Sequence, residues 1–296
     1  MIIIGFGCGL GNQMFQYAFY LSMVERYPHL KFKADTQYAF IEEHNGFELD
    51  RVFGINFEEC TINERKKLSE FPIRKNFVNE IFLKIRNRLK WHKKSFYKQY
   101  DYTEYYSEVY DLPVDRDMYL LGIWANEKYF KDLKFRLQKE VFIFDATRLN
   151  DVSREVKERI ESAENSVSIH VRRGDFVEYQ NHVMGKQYYQ KAMEIMENTI
   201  GHADYFVFSD DVDYARELFG HSSNVFYVQG NVKADSWMDM YLMSICHHNI
   251  IANSSFSFWG AYLNQNDSKI VIAPNMPFVN CRHAFTCEGW ITIDEC

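Results

Sequence analysis

The chain has no C-x-x-C pair, and its six cysteines (Cys8, Cys60, Cys246, Cys281, Cys287 and Cys296) are scattered along 296 residues. This spacing excludes a disulfide scaffold and fits a reducing compartment. Cys281, His283 and Cys287 lie near one another, but their spacing matches no standard zinc site. No basic-then-apolar leader opens the sequence, and no apolar run reaches about 18 residues, the length of a bilayer span. A cytoplasmic protein is therefore expected. Internal repeats and low-complexity tracts are also missing. So is a basic excess: the formal net charge is −7, which argues against general nucleic-acid binding.

What is present describes an ordinary globular protein, 47% hydrophobic and 25% charged, long enough for two domains. Aromatic residues reach 17%, mostly Phe and Tyr. Such rings pack in cores or against the C–H faces of sugars, and the tyrosines from Tyr97 to Tyr110 admit either use. Charge is unevenly placed. Arg65 to Lys98 holds twelve Lys and Arg against two acids, a balance of +10, leaving 22 basic against 39 acidic residues elsewhere, or −17. Within that block Phe77, Ile81, Ile85 and Leu89 recur every fourth residue, an apolar stripe on a helix with a cationic opposite face. The block is either a solvated helix face or a peripheral contact, through 65–98, with an anionic surface such as a membrane.

The stretch GFGCGLGNQ, Gly5 to Gln13, follows the apolar run MIII and precedes a helix over roughly 12–27 that Pro28 stops. With the strand LKFKADT after it, this is a βαβ opening with a right-handed crossover. It imitates a dinucleotide fingerprint, and Asp35 supplies a candidate acid. The third glycine fails in both registers, falling on Asn12 from Gly7 and on Leu10 from Gly5. An NAD-type oxidoreductase is therefore a rival reading and not the leading one. The polar segment around 148–165 divides the chain into expected domains at 1–150 and 151–296. In the second domain short apolar runs alternate with helical patterns, which predicts a parallel sheet covered on both faces. Ligands in such sheets bind beyond the carboxyl ends of the strands.

Those ends carry the unusual residues. SIHVRRGDF closes a strand with His170, Arg172, Arg173, Gly174 and Asp175. Two adjacent guanidiniums need anionic partners, and the planar fork of Arg suits phosphate. One arginine is expected to pair with Asp175 across the turn and the other to face a ligand. FSDDVD contains a D-x-D at Asp211 and Asp213, either a metal pair or, with Asp213 as cap, the start of a helix. IANSSFSFWG leads small polar residues into a helix, which suits a diphosphate or simple N-capping.

SIHVRRGDF resembles the H-x-R-R-x-D motif of fucosyltransferases that use GDP-fucose. GLGNQMFQYA resembles the N-terminal GNQ motif of the α-1,2-fucosyltransferases of glycosyltransferase family 11, and YFVFSDD, IIANSSFSFWGAYLN and GIWANEKYF are similar to further stretches of it. The likeness runs from about Met1 to Pro274 in the expected order. One departure stands out: the family usually has W-Q-S-E-K-Y-F where this chain has Trp124-Ala125-Asn126-Glu127.

The resemblance implies an α/β fold of GT-B type, with two Rossmann-like domains facing a cleft: an acceptor-side domain first, then the GDP-fucose-binding domain. It implies inverting transfer of L-fucose to the 2-hydroxyl of a terminal galactose, on an oligosaccharide or a lipid-linked glycan, with no metal required. By motif position Arg172 would bind the β-phosphate, with His170 near the nucleotide. Asp210 or Asp211 would contact guanine or ribose. Asn253, Ser254, Ser255 and Phe256 would cradle the diphosphate, largely through backbone N–H groups. Asn12 would lie near the fucose. Asp175 and Glu178 are candidate general bases for the acceptor hydroxyl. A metal-dependent D-x-D transferase and a non-catalytic membrane-docking scaffold are the remaining rivals.

Overall fold

Short apolar runs that end in polar turns form the strands, and because both faces of the central strands are covered these read as unbroken hydrophobic stretches. The computed structural model describes residues 1–37, 45–70, 93–113, 115–178, 182–276 and 281–294, with the side chains of Asp175 and Glu178 outside that description. The apolar stripe from Phe77 to Leu89 and the cationic face opposite it also lie outside the described residues. The chain divides into two compact units, Met1–Leu133 and Lys134–Cys296.

The first unit is built on a parallel sheet of β1 (Ile2–Gly5), β2 (Phe32–Asp35), β3 (Phe96–Lys98) and β4 (Met118–Leu121), in the order β2-β1-β4-β3. Helix α1 (Leu10–Arg26) crosses over from β1 to β2, and the short α2 (Leu49–Phe53) and α3 (Ile62–Leu68) follow. Thr61 and Glu64 close a reciprocal capping box on α3. After β4, two single turns of 3₁₀ helix cover Glu127–Tyr129 and Lys131–Leu133.

The second unit carries six parallel strands: β5 (Ser166–Val171), β6 (Asp204–Ser209), β7 (Val225–Val228), β8 (His248–Ile250), β9 (Val271–Pro274) and β10 (Ile291–Ile293). Their order is β10-β9-β8-β5-β6-β7. Helices α4 (Asp151–Ser162), α5 (Gly174–Glu178), α6 (Lys186–Ile200), α7 (Val212–Phe219), α8 (Trp237–Ile245) and α9 (Ser255–Leu263) alternate with the strands. Val167, Ile169, Tyr188, Tyr205 and Ile272 lie in its fully buried core.

The division falls at Leu133 and Lys134, earlier than the expected 150, because 134–150 packs with the second unit. Phe142 meets Trp259 edge-on with ring centroids 5.1 Å apart, and Phe144 stacks on Trp237 at 6.0 Å. The polar segment near 148–165 is mostly α4, capped by Asn150.

Two buried polar devices hold α9 in place. Asn264 Nδ2 donates to Asn249 Oδ1 at 2.8 Å, while Asn249 Nδ2 donates to Ser168 Oγ at 2.7 Å. At the helix C-terminus, Lys269 Nζ donates to the carbonyls of Ala261 (2.7 Å) and Asn264 (2.6 Å). Those groups have no partner within the helix, and a cation there also complements the dipole. Among the described residues no helix is long and apolar enough to cross a membrane.

Candidate functional site

In the second unit the carboxyl ends of three neighbouring strands, β8, β5 and β6, bring together most of the residues singled out by the sequence. Both arginines are paired, and both partners come from the end of β6. Arg172 Nη1 lies 2.8 Å from Asp210 Oδ2, and Arg173 Nη1 pairs with Asp211 Oδ2. Asp210 Oδ1 also accepts the backbone N–H of Arg173 at 2.8 Å. The two strand ends are thus joined by ion pairs and a main-chain bond. A Cβ at Gly174 would sit 2.9 Å from Asp210 Oδ2, so a side chain there would have to displace that carboxylate. Both arginines thus pair with the end of β6, and the expected pairing of one of them with Asp175 falls outside the described residues, as the Asp175 side chain does.

The D-x-D is not arranged as a metal pair. Asp211 is the N-cap of α7, accepting the Tyr214 N–H at 3.0 Å, and it is this residue rather than Asp213 that starts the helix. The Tyr214 N–H and the Arg173 guanidinium hold its carboxyl below the ordinary range. Asp213 lies on the exposed side of α7 and pairs with Arg216 at 3.0 Å. No group of three or more metal-ligating residues occurs among the described residues, the Cys281, His283 and Cys287 set included.

Two buried polar atoms lack protein partners at the same strand ends. His170 is buried beside Phe256 with ring centroids 5.8 Å apart, and its Nδ1 makes no hydrogen bond. Burial, and then the nearby Arg172 charge, push its pKa down to about 3, so the imidazole is neutral at pH 7. Asn253 donates through Nδ2 to the His182 carbonyl at 3.2 Å, while its buried Oδ1 has no partner. Unsatisfied buried polar atoms cost roughly 1–3 kcal/mol each, a cost a ligand can remove. Next in line, Ser254 caps α9 and its Oγ takes the Phe256 N–H at 3.3 Å. One N–H of the expected cradle is therefore already used. The first turn beginning at Ser255 still presents N–H groups that the helix cannot satisfy itself.

A further polar cluster, beyond the end of the neighbouring β7, carries no sequence motif. Asn231, just after β7, donates to Asp239 Oδ1 at 2.8 Å and accepts from Asn150 and Ser153, each at 3.0 Å. Burial raises the Asp239 carboxyl to about 7. The one local signal was Gly230-Asn231 closing a strand.

The first unit arranges its strand ends differently. Asn12 lies half-buried in the first turn of α1. Behind it, Gln16 accepts the Gly7 N–H at 3.0 Å and donates to the Gly122 carbonyl at 3.0 Å. Gln13 donates to the carbonyls of Cys8 (2.7 Å) and Gly46 (2.9 Å) and accepts the Glu48 N–H at 2.8 Å. The left-handed residue of the glycine loop is Cys8, with φ 63°, rather than a glycine. Trp124 also has a left-handed backbone, φ 61°, and stacks on Phe19 at 4.0 Å. Asp35 is not free to meet a ribose. It accepts from the Tyr119 hydroxyl at 2.7 Å, and Arg65 Nε lies 3.0 Å away, both inside the core. That removes the acid on which the oxidoreductase reading leaned. The tyrosines are mixed: Tyr129 accepts the Tyr106 N–H at 2.8 Å and packs on Tyr105 at 4.9 Å, while Tyr100 stands 83% exposed.

Comparison with known proteins agrees with this geometry. The model of the family described as Glycosyl transferase family 11 matches residues 1–294. An alpha-1,2-colitosyltransferase of Escherichia coli is 35% identical over 90% of this chain and 88% of its own length. A galactoside alpha-(1,2)-fucosyltransferase 1 of Aotus azarae is 25% identical over 56% of this chain and 48% of its own. In fold, the chain is similar to Arabidopsis thaliana FUT1 solved as a mutant in complex with GDP, with TM-score 0.50 and 13% identity, covering 95% of this chain and 72% of that one. Its two parallel α/β units are of the GT-B-like class, Rossmann-like in each half. With the whole length matched and the arginines, serines and GNQ turn at strand ends, the chain belongs to glycosyl transferase family 11 and is a glycosyltransferase.

Proposed function

We propose that this enzyme transfers L-fucose from GDP-fucose to the 2-hydroxyl of a terminal galactose in a glycan, with inversion at the anomeric carbon. In that reaction the acceptor oxygen forms a bond to the fucose C1 as the bond from C1 to the β-phosphate oxygen breaks. GDP leaves with the electron pair, and the acceptor proton passes to a base. Negative charge grows on the departing diphosphate, so fixed positive groups must already be aimed at it.

The observation that carries this reading is the set of strand ends in the second unit. There a guanidinium pair is held in place by Asp210 and Asp211, beside two unsatisfied buried polar atoms and a helix N-terminus. Arg172 would meet the β-phosphate, and the first turn of α9 would receive the diphosphate. Asp210 and Asp211 would act first by aiming the arginines. The neutral His170 and the Oδ1 of Asn253 would offer hydrogen bonds to the nucleotide. Asn12, on the first unit, would lie near the transferred sugar.

No metal is needed in this scheme, because the arginines and the helix supply the positive potential. The similarity to a colitosyltransferase favours one further donor, an activated colitose, on the same site.

The test is calorimetric titration with GDP in a chelator, for wild type and Arg172→Ala, followed by transfer from GDP-fucose to a β-galactoside. Binding lost in the variant, with transfer intact in the chelator, is expected. Failure of a folded wild type to bind GDP would overturn the reading, and preference for a colitose donor would replace the sugar but not the site.

A further inference from the structure

Two non-glycine residues of the first unit hold left-handed backbone conformations, Cys8 at φ 63° and Trp124 at φ 61°. Such conformations cost energy and persist only where neighbours over-determine them. One lies just beyond β1 and the other just beyond its sheet neighbour β4, so both sit where ligands meet an α/β sheet. The side chain that spans the two loops is Gln16. The residue is 2% exposed, and its amide takes the Gly7 N–H on one side and reaches the Gly122 carbonyl on the other.

Each loop is also pinned from behind by another buried amide. Gln13 holds the Cys8 carbonyl, and Gln99 Oε1 accepts the N–H groups of Ile123 (3.1 Å) and Trp124 (2.9 Å). Gly122 leaves no room for a side chain, since a Cβ there would lie 2.6 Å from Gln99 Oε1. Gln16 is the shared member: it is hydrogen-bonded to both loops, and it stands one helical turn below Asn12 on α1.

We infer that Gln16 is a positioning residue for transfer: its amide locks the glycine loop and the Gly122–Asn126 turn into one rigid surface on which the acceptor sugar is presented next to Asn12. The inference rests on the transferase reading above and adds to it the device that fixes the acceptor side. An amide suits this role because the two loops offer opposite groups, one donor and one acceptor, at either end of a single planar fork. Leucine could fill the space without specifying either loop, and an ionised glutamate would face the Gly122 carbonyl with a second acceptor.

Wild type, Gln16→Met and Gln16→Glu are compared for transfer from GDP-fucose to lactose, for GDP affinity, and for melting temperature. The Met variant keeps the volume and loses both bonds; it is expected to lose tenfold or more in kcat/KM for lactose, with GDP affinity within twofold of wild type. The Glu variant is expected to regain activity relative to wild type as pH falls, because the protonated carboxyl again has a donor for Gly122 and burial raises its pKa. Wild-type lactose kinetics in the Met variant, or a pH-independent Glu variant, would overturn the inference. So would transfer and GDP affinity falling together with melting temperature, since that marks a purely structural residue.

Amide hydrogen exchange of the Met variant, measured alongside, keeps the question answerable if wild type proves inactive on lactose, an outcome that would count against the proposed function instead. Faster exchange confined to residues 6–10 and 122–126 supports the lock; unchanged or global exchange refutes it.

Discussion

The two units solve the same problem, the end of a parallel strand, with different chemistry. In the second unit the strand ends are charged: Arg172 with Asp210, Arg173 with Asp211, and a neutral buried His170 between them and α9. In the first unit amides do most of the holding, with Gln13, Gln16 and Gln99 fixing loops by paired bonds, and the charged groups are matched internally: Arg65 with Asp35 in the core, and Arg51 with Glu48, whose carboxylate accepts the Leu10 N–H. Charge at a strand end prepares for a charged ligand, because field strength there is high and falls with salt only weakly when partly buried. Amides at a strand end prepare for shape, because they fix backbone without attracting ions. The contrast fits the proposed division of labour, with the diphosphate on the second unit and the uncharged sugar on the first.

The largest test of that contrast lies in the first unit. Arg65→Met strands the Asp35 carboxylate in the core and is expected to cost about 3–5 kcal/mol, the usual result of breaking a buried pair. Chemical denaturation would measure it. A variant as stable as wild type would mean that Asp35 and Arg65 are not the sealed pair described.

Next comes the second unit's own charge. Arg172→Ala is expected to lower turnover on the order of 10²–10³-fold, as removal of a fixed donor to a developing anion does. Asp210→Asn keeps the guanidinium and loosens its aim, so a smaller loss is expected. Steady-state kinetics of both variants against GDP-fucose would rank them. Equal losses would assign Asp210 a direct role on the ligand and not one exerted through the arginine.

His170 gives a pH signature. Its folded pKa, about 3, lies below the ordinary value of 6.5. Between these values the unfolded chain takes up a proton that the folded chain does not. Stability from this group is therefore full above pH 6.5 and is lost as pH falls toward 3, by at most about 1.4 kcal/mol per pH unit. Melting curves over that window should be steeper in pH for wild type than for His170→Asn. Parallel curves would show that the imidazole charges freely in the folded protein.

Smallest of all is Asp213→Asn, expected within about 0.5 kcal/mol of wild type because its pair with Arg216 is exposed. Transfer should also be unchanged, with or without added divalent metal. A large loss of transfer would restore the D-x-D as a metal ligand.

Much of this was legible in the sequence, unevenly by unit. The second unit's strands are buried apolar runs closed by polar residues, so SVSIHV, DYFVFS and VIAP stand out, and so do the strand ends where Arg172, Asp210 and Ser254 gather. Phe96–Lys98 and Ile291–Ile293 are three-residue strands, too short to show a period, and the first is hidden among tyrosines. Gln16 and Gly122 are 106 residues apart, and an amide's choice of partner leaves no trace in local pattern. For the same reason nothing near Arg172 or Arg173 identified the aspartates that hold them, since an arginine–aspartate contact is a product of the sheet order. The fold is thus read from neighbours in sequence, and the site's wiring only from neighbours in space.

Lys269 alters how α9 meets the rest of the molecule. An unassisted helix is electrically two-ended, with its negative terminus offsetting part of what the positive terminus offers. At α9 the negative end is plugged by an ammonium group that burial has brought down to about 8, still largely charged at neutral pH. What remains is a nearly unipolar element whose only unbalanced terminus is the turn at Ser254 and Ser255. A lysine at the far end of the helix would thereby add to the pull on the diphosphate proposed to lie at the serine turn. Above about pH 8 that contribution fades without any contact at the serine turn having changed.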